Sequence, residues 1–153
     1  MILREPLAAE HAAVARLGRS GFARLGDYRA AITGWLRNPG IASRVAVVDD
    51  ALAGFVQVAV LDEPGDRHGY ILAIGVDEAH RRRGVGAALL REAVELLATS
   101  RTTLAIDDVR ATVAEDNLAA QALFGAAGFV RGAAPNTAYP AGQRALTLAR
   151  PIP

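Results

Sequence analysis

The sequence predicts an α/β (α+β) fold: one mixed, mostly antiparallel central sheet of about six to seven strands, flanked by about four helices. Two observations favour this fold class. Strand-like and helical stretches alternate irregularly along the chain, and β-rich stretches that pair as hairpins stand near both ends. A regular alternation of strands and helices would instead favour a doubly wound parallel sheet.

The predicted strands are short apolar stretches bounded by turn-forming residues. The turn Asp49-Asp50-Ala51 joins two of them into a hairpin, and Pro64-Gly65-Asp66 leads into the next strand. In chain order, the predicted strands cover residues 1–4, 44–48, 52–60, 70–76, 109–114, 129–131 and 144–149.

The predicted helices carry apolar residues at helical spacing. The first ends at Leu17, because Gly18, Gly21 and Gly26 then break the pattern. Asn117 is typical of a helix N-cap and opens the last predicted helix. In chain order, the predicted helices cover residues 7–17, 28–36, 84–98 and 117–128.

Composition places residues 1–153 in one globular domain and excludes several classes of function. Hydrophobic residues make up 52% of the chain, and a net charge of +1 argues against a general nucleic-acid binder. The absence of cysteine excludes disulfides and a cysteine nucleophile, and three scattered histidines give a metal site little support. With no secretory pattern and no uncharged apolar run of ~18 residues, we expect a cytoplasmic protein without a membrane partner.

Residues 74–86 are the most informative part of the chain. A strand-like run ends there, three consecutive arginines and two glycines follow, and a helical pattern then begins. This order brings free backbone N–H groups, a helix N-terminus and guanidinium charge to one place. The segment therefore predicts a site for a phosphate-bearing ligand.

Two classes of phosphate-binding site fit this segment poorly. A P-loop needs a lysine and a Ser or Thr after its last glycine, whereas Ala87 and Ala88 follow here and the chain has no lysine. A dinucleotide fold needs a third glycine where Leu89 stands, and a shorter turn after its strand. Asp107 does imitate the ribose-binding acid of that fold, so NAD binding remains an alternative.

The third candidate ligand is acyl-coenzyme A. Residues 81–86, Arg-Arg-Arg-Gly-Val-Gly, fit the pattern Arg/Gln-x-x-Gly-x-Gly/Ala, and through it the chain resembles the GNAT superfamily of N-acetyltransferases. Residues 117–129 are similar to a second family pattern, Asn-x-x-Ala-x-x-Leu-Tyr-x-x-x-Gly-Phe, and 53–55 resemble the start of the family's third strand. The resemblance covers nearly the whole chain, and it implies an N-acetyltransferase that uses acetyl-CoA as acyl donor.

The resemblance also implies where the donor binds. The backbone N–H groups of 81–86 would hold the pyrophosphate, because glycine lets the chain pass close to it. The pantetheine arm would lie between strands 70–76 and 109–114, where one N–H polarises the thioester carbonyl. Asn117 would hold the pantetheine side. The implied cofactor-binding residues are Ile74, Val76, Arg81, Arg82, Arg83, Gly84, Val85, Gly86, Ala87, Asn117 and Phe124.

The catalytic groups depart from the family pattern. Phe124 stands where a tyrosine commonly protonates the departing thiolate, so water or another hydroxyl such as Tyr139 would replace it. Thr112 occupies a fifth-strand position where some members carry glutamate. The general base therefore stays open among a water relay and the side chains of Glu115, Asp62, Glu63 and His68.

The acceptor would be a primary amine of a small molecule or a peptide, attacked directly in a ternary complex. In the family, acceptor recognition involves the first two helices and the loop between the last two strands, which points to Arg24, Tyr28 and Tyr139. The resemblance also makes a homodimer possible. The alternative function is a non-catalytic acyl-CoA-binding sensor or regulatory module, which Phe124 and the unassigned base keep open.

Overall fold

The computed structural model describes residues 1–22, 29–132, 137–138 and 144–153. Two 3-10 turns, Ala8–Glu10 and Glu78–His80, precede the first and third helices. The helices are α1 (His11–Phe22), α2 (Arg29–Arg37), α3 (Val85–Thr99), α4 (Arg101–Leu104) and α5 (Leu118–Ala126). The strands are β1 (Ile2–Arg4), β2 (Ala42–Val48), β3 (Ala51–Glu63), β4 (Asp66–Val76), β5 (Asp108–Ala114), β6 (Val130–Arg131), β7 (Thr137–Ala138) and β8 (Arg144–Pro151).

The strands form one sheet in the order β1-β2-β3-β4-β5-β8-β6, and β7 also pairs with β8. β4 and β5 are parallel, and the other neighbouring strands are antiparallel. The predicted α/β fold with a mixed, mostly antiparallel sheet is thus confirmed. The described residues form eight strands, because the two-residue strand β7 lies in a stretch that the sequence predicts to be a loop.

Two hairpins lead up to β4. Asp49 and Asp50 both have positive φ angles, 50° and 61°, which is the two-residue type I′ turn that matches strand twist. The second hairpin, β3–β4, extends further than predicted, to Glu63 and from Asp66. These strand ends are rich in charged residues, so the sequence pattern does not indicate strand there. Arg67 donates a hydrogen bond of 2.9 Å to the Asp62 carboxylate, which holds the two strand ends together.

The first helix continues past its predicted end. α1 runs through Gly18 and Gly21 to Phe22, although helix-breaking glycines predict an end at Leu17. Gly18 is buried, and a Cβ there would collide with the Ile32 side chain. The glycine allows α1 and α2 to pack closely, and this packing outweighs its poor helix propensity of about 1 kcal/mol.

The helices cover the two faces of the sheet separately. α1 and α2 cover a front face, where Ile32 packs with Phe55 and Ala73, whereas α3 and α5 cover a back face around Leu89 and Phe124. α4, a single turn that the sequence did not predict, follows α3. None of the helices in the described ranges combines the length and the apolar character needed to cross a membrane.

An ion pair joins β1 to the turn that precedes α1. The Arg4 guanidinium donates hydrogen bonds of 2.7 and 3.0 Å to the Glu10 carboxylate, and the Leu7 N–H donates one of 2.8 Å. The hydrogen bond from Arg4, and next the one from Leu7, lower the pKa of Glu10 to about 2. Because this value lies below the unfolded-state pKa of about 4.3, the stabilisation is present above that value and is lost as the pH falls toward 2.

We therefore expect Glu10→Gln to lower the free energy of unfolding by about 1–2 kcal/mol near neutral pH. Near pH 2 the difference from wild type should shrink, since Glu10 is then partly protonated in the wild type as well. Denaturant unfolding at both pH values measures the two differences. Glu5→Gln is the matched control, because Glu5 is exposed. Its carboxylate lies 3.5 Å from the Arg44 guanidinium, and an ion pair so open to solvent contributes little to stability. An equal loss at both pH values would contradict the proposed role of the Glu10 charge.

Candidate active site

A cavity of about 870 Å³ lies between the end of β4 and the first turns of α3 and α5. It collects most of the residues that the sequence predicts to bind a cofactor, together with several that it does not. Its lining residues are Ile74, Gly75, Val76, His80, Arg81, Arg82, Gly84, Val85, Gly86, Ala87, Asn117, Ala119, Ala120, Leu123 and Phe124.

The cavity lies beside a gap in the sheet. β4 and β5 pair only where residues 69–71 face 109–111. Beyond Ile71 and Ala111 the described parts of the two strands are not paired with each other, which leaves the space that the family resemblance implies for a pantetheine arm. β4 still pairs with β3 there, and β5 with β8. The edge of β4 therefore offers backbone N–H and C=O groups to an extended ligand that carries amides.

β4 has a bulge at the point where this gap begins. Val58 faces Ile71 while Gln57 faces Ala73, so Leu72 is an extra residue in β4. A bulge of this kind bends the strand and turns backbone groups away from the regular ladder. The backbone around Leu72 consequently departs from the regular ladder at the start of the gap.

Residues 81–84, between the 3-10 turn Glu78–His80 and α3, form a loop that is shaped to hold an anion, the anion-binding loop. Arg82 has a φ of 64° and Gly84 a φ of 77°, so two left-handed residues turn the backbone just before the helix. Gly84 is the N-cap of α3, where no side chain in the described chain caps the first turn. The N–H groups of Val85 and Gly86 thus remain available at the positive end of the helix. Left-handed backbone at Arg82 costs about 1–3 kcal/mol, a strain that is typical of functional sites.

A second helix N-terminus faces the same cavity. Asn117 is the N-cap of α5, and its Oδ1 accepts a hydrogen bond of 3.1 Å from the Ala120 N–H. The side-chain amide nitrogen of Asn117 is then the group that can donate to a ligand. The capping role and the ligand-binding role that the sequence suggests for Asn117 are therefore compatible.

The arginines of the loop differ in their positions. All three are exposed, but Arg81 and Arg82 line the cavity whereas Arg83 lies outside its lining. His80, to which the sequence assigns no role, also lines the cavity, and its Nδ1 lies 3.0 Å from Asp77 Oδ2. A histidine directly before an arginine run was the only indication of this position in the sequence.

Phe124 forms an apolar part of the wall. It is 3% exposed and packs edge-to-face against Phe129, with 5.0 Å between the ring centroids. Phe124 therefore offers no hydroxyl where one would be needed to protonate a leaving group.

Two hydroxyl groups meet on the front face where β4 and β5 separate. The Tyr70 hydroxyl is hydrogen-bonded to Thr112 Oγ1, so the tyrosine ring bridges the two strands. Ile71 belongs to the cluster on the back face, and the adjacent Tyr70 consequently projects from the front face. Both hydroxyl-bearing residues are only partly buried. The family resemblance points to the position of Thr112, whereas nothing in the sequence suggests a role for Tyr70.

The structure brings few of the proposed bases to this gap. Asp62 and Glu63 stand opposite Arg67 and Asp66 in the strand register of the far hairpin. This hairpin end lies about 17 Å along β4 from the start of the gap. Glu115 is exposed just after β5, with its carboxylate 3.9 Å from the Arg144 guanidinium.

His68 is nearer to the gap than the hairpin carboxylates but is enclosed. It is buried on β4 about 10 Å before the gap, and its Nδ1 lies 3.6 Å from Asp66 Oδ1. Three residues proposed from the sequence fall outside the described residues: Arg24, Tyr28 and Tyr139.

Comparisons with known proteins agree with this architecture. The L-amino acid N-acetyltransferase AaaT of Escherichia coli (strain K12) is 33% identical over 91 residues, which are 60% of this chain and 54% of AaaT. The match therefore spans about half the length of that relative.

Solved structures resemble the chain over nearly its whole length. Ard1 from Thermoplasma volcanium is 25% identical, with a TM-score of 0.80 over 99% of this chain and 97% of Ard1. NAA60 from Arabidopsis thaliana, solved with acetyl-CoA, shares the fold at 18% identity, with a TM-score of 0.78 over 99% of this chain and 98% of NAA60. Residues 11–129, from the start of α1 to the end of the α5 region, match the acetyltransferase (GNAT) family. The chain therefore belongs to the acetyltransferase (GNAT) family.

Proposed function

We propose that the protein is an acetyl-CoA-dependent N-acetyltransferase that moves an acetyl group to a primary amine. The observation that carries the proposal is the gap between β4 and β5 with an anion-binding loop at its mouth. An unpaired strand edge suits the amides of a pantetheine arm, and the loop suits the diphosphate that follows it in coenzyme A. Family membership supports the same assignment.

The donor would lie along β4 with its diphosphate at the start of α3. Backbone N–H groups of residues 82–87 would bind the diphosphate, since the Arg81 N–H already donates to the Glu78 carbonyl, and the arm would run past Val76 toward Ile74. Asn117 would donate to the arm from the α5 side. Arg83, which lies outside the cavity lining, would act through its charge near the nucleotide rather than through contact with the diphosphate.

Transfer would proceed by direct attack of the amine nitrogen on the thioester carbonyl carbon. As the C–N bond forms, an N–H near the bulge at Leu72 would stabilise the oxygen anion. The C–S bond then breaks, the amine loses a proton and the thiolate gains one. The chain contains no cysteine, so a covalent acyl-cysteine route is excluded.

The amine needs more assistance than the thiolate. An alkylamine has a pKa near ~10.4, so its deprotonation at neutral pH costs about 4–5 kcal/mol, whereas a thiol with a pKa near ~8.5 costs only about 2 kcal/mol. Loss of the tyrosine hydroxyl at Phe124 is consequently tolerable. Tyr70 and Thr112 are the hydroxyl groups placed to orient the amine on the front face and to pass its proton to water.

The main alternative is a non-catalytic acyl-CoA-binding sensor. Phe124 favours it, because this side chain cannot donate a proton to the thiolate. In that case the cavity would bind the same ligand, yet no acceptor would turn over.

Two measurements on the purified protein separate these functions. Calorimetry with coenzyme A tests binding, and release of free thiol from acetyl-CoA with a panel of amines tests transfer. The panel should include free amino acids, because AaaT is named for them, and short peptides with free N-termini. Binding with amine-dependent thiol release supports the enzyme, whereas tight binding with no release on any amine favours the sensor. No binding of coenzyme A would overturn both.

The acceptor residues Arg24, Tyr28 and Tyr139, a homodimer and a cytoplasmic location stay predictions. So does the expectation that no nucleic acid or membrane is a partner. The amine panel decides between small-molecule and peptide acceptors.

A further inference from the structure

The turn that precedes the anion-binding loop contains a histidine held by a carboxylate. His80 closes the 3-10 turn Glu78–His80, and its Nδ1 lies 3.0 Å from Oδ2 of Asp77. The Asp77 backbone is itself fixed, because its N–H donates a hydrogen bond of 2.8 Å to the Ala53 carbonyl on β3. The His80 side chain is only 14% exposed. The ring is therefore held on a rigid support rather than free in solvent.

The same ring forms part of the cavity wall next to Arg81 and Arg82. With Nδ1 bonded to Asp77, Nε2 is the ring nitrogen left for a ligand. In the neutral ring, that nitrogen carries a lone pair, which would repel a phosphate oxygen. In the protonated ring it carries a hydrogen and a positive charge, and it would donate a charge-assisted hydrogen bond.

We infer that His80, positioned by Asp77, contacts the diphosphate of the donor and makes donor binding take up a proton. The inference rests on the proposed function, since it takes the ligand of the cavity to be coenzyme A. Its consequence is that the donor binds more tightly in mildly acidic than in mildly alkaline solution.

Several other charged residues lie around this turn. Asp77 and Glu78 belong to the turn itself, and Arg81 and Arg82 line the same cavity as the ring. From α1, Arg16 lines an adjoining pocket with Asp77, Glu78 and Arg81. A bound diphosphate adds negative charge to this group and shifts the balance toward the protonated ring.

Dephospho-coenzyme A is the best probe, because it keeps the diphosphate but lacks the 3′-phosphate, which titrates in the same pH range. We expect its affinity for the wild type to rise about tenfold between about pH 8 and about pH 6, as one charge-assisted hydrogen bond is gained. Calorimetry in buffers of different ionisation enthalpy should show proton uptake on binding. For His80→Gln, the affinity should stay the same within about twofold over this range, with no proton uptake.

Asp77→Asn is the second variant, because it keeps the size of the side chain and removes the negative charge beside the ring. The pH at which affinity rises should then move downward. Pantetheine, which lacks the diphosphate, should bind the wild type with no proton uptake. Circular dichroism and thermal unfolding establish that each variant is folded.

The outcomes separate this inference from the proposed function. If dephospho-coenzyme A binds the wild type with no change in affinity over this pH range, or binds His80→Gln with the same change as the wild type, the inference is overturned while the proposed function stands. If neither dephospho-coenzyme A nor coenzyme A binds at any pH, the proposed function fails and the inference with it.

Discussion

Gly86→Trp is expected to abolish measurable donor binding, with an affinity loss of at least about 100-fold, or about 2.7 kcal/mol. A Cβ at Gly86 would lie 3.3 Å from Leu123 and 3.6 Å from Val76, so a side chain there spans the cavity between α3 and β4. The indole would occupy the space that the proposed diphosphate and pantetheine arm require. Calorimetry with coenzyme A measures the loss.

The variant itself should fold, because a cavity of about 870 Å³ can hold the new side chain. Gly34→Trp is the matched control: Gly34 is an exposed helical glycine with no described atom within 4 Å of a Cβ placed there. It should bind coenzyme A like the wild type, and both variants should unfold within a few degrees of the wild type. Unchanged affinity in a folded Gly86→Trp protein would place the ligand outside this cavity.

Much of the fold could be predicted, because local patterns and tertiary packing agree over most of the chain. The hairpin at Asp49 and Asp50 shows this agreement, since aspartate tolerates the positive φ angles that its turn needs. The errors occur where packing outweighs local preference. Gly18 lies within α1 with its Cα against Ile32, where a Cβ would collide with the end of that side chain, and nothing in the local pattern reveals this contact.

The candidate site divides in the same way. The loop of arginines and glycines could be predicted because the binding proposed for it depends on backbone conformation and charge, which leave a contiguous pattern in the sequence. That Arg81, Gly84 and Gly86 line the cavity follows from this pattern. Tyr70 and Thr112 are 42 positions apart in the chain, and the pairing of β4 with β5 brings them together. A single sequence has no local pattern for such a contact, and the bulge at Leu72 is hidden for the same reason.

The second large effect is expected for Tyr70→Phe, which should lower kcat for amine acetylation by about 100-fold. The variant keeps the ring that bridges β4 and β5 and removes only the hydroxyl that meets Thr112. Since no group of the donor site changes, the affinity for coenzyme A should stay within about twofold of the wild type. Steady-state thiol release at saturating acetyl-CoA, with the best amine of the panel, measures kcat.

A purely structural role for the hydroxyl predicts a different result. It would lower the free energy of unfolding by about 1 kcal/mol and leave kcat nearly unchanged in the folded protein. Thr112→Val tests the other partner of the same hydrogen bond. If the two hydroxyl groups act as a unit, the double variant should lose little more activity than Tyr70→Phe alone. A fully active Tyr70→Phe enzyme would exclude the Tyr70 hydroxyl from proton transfer, and Glu115 and His68 would then be the next residues to replace.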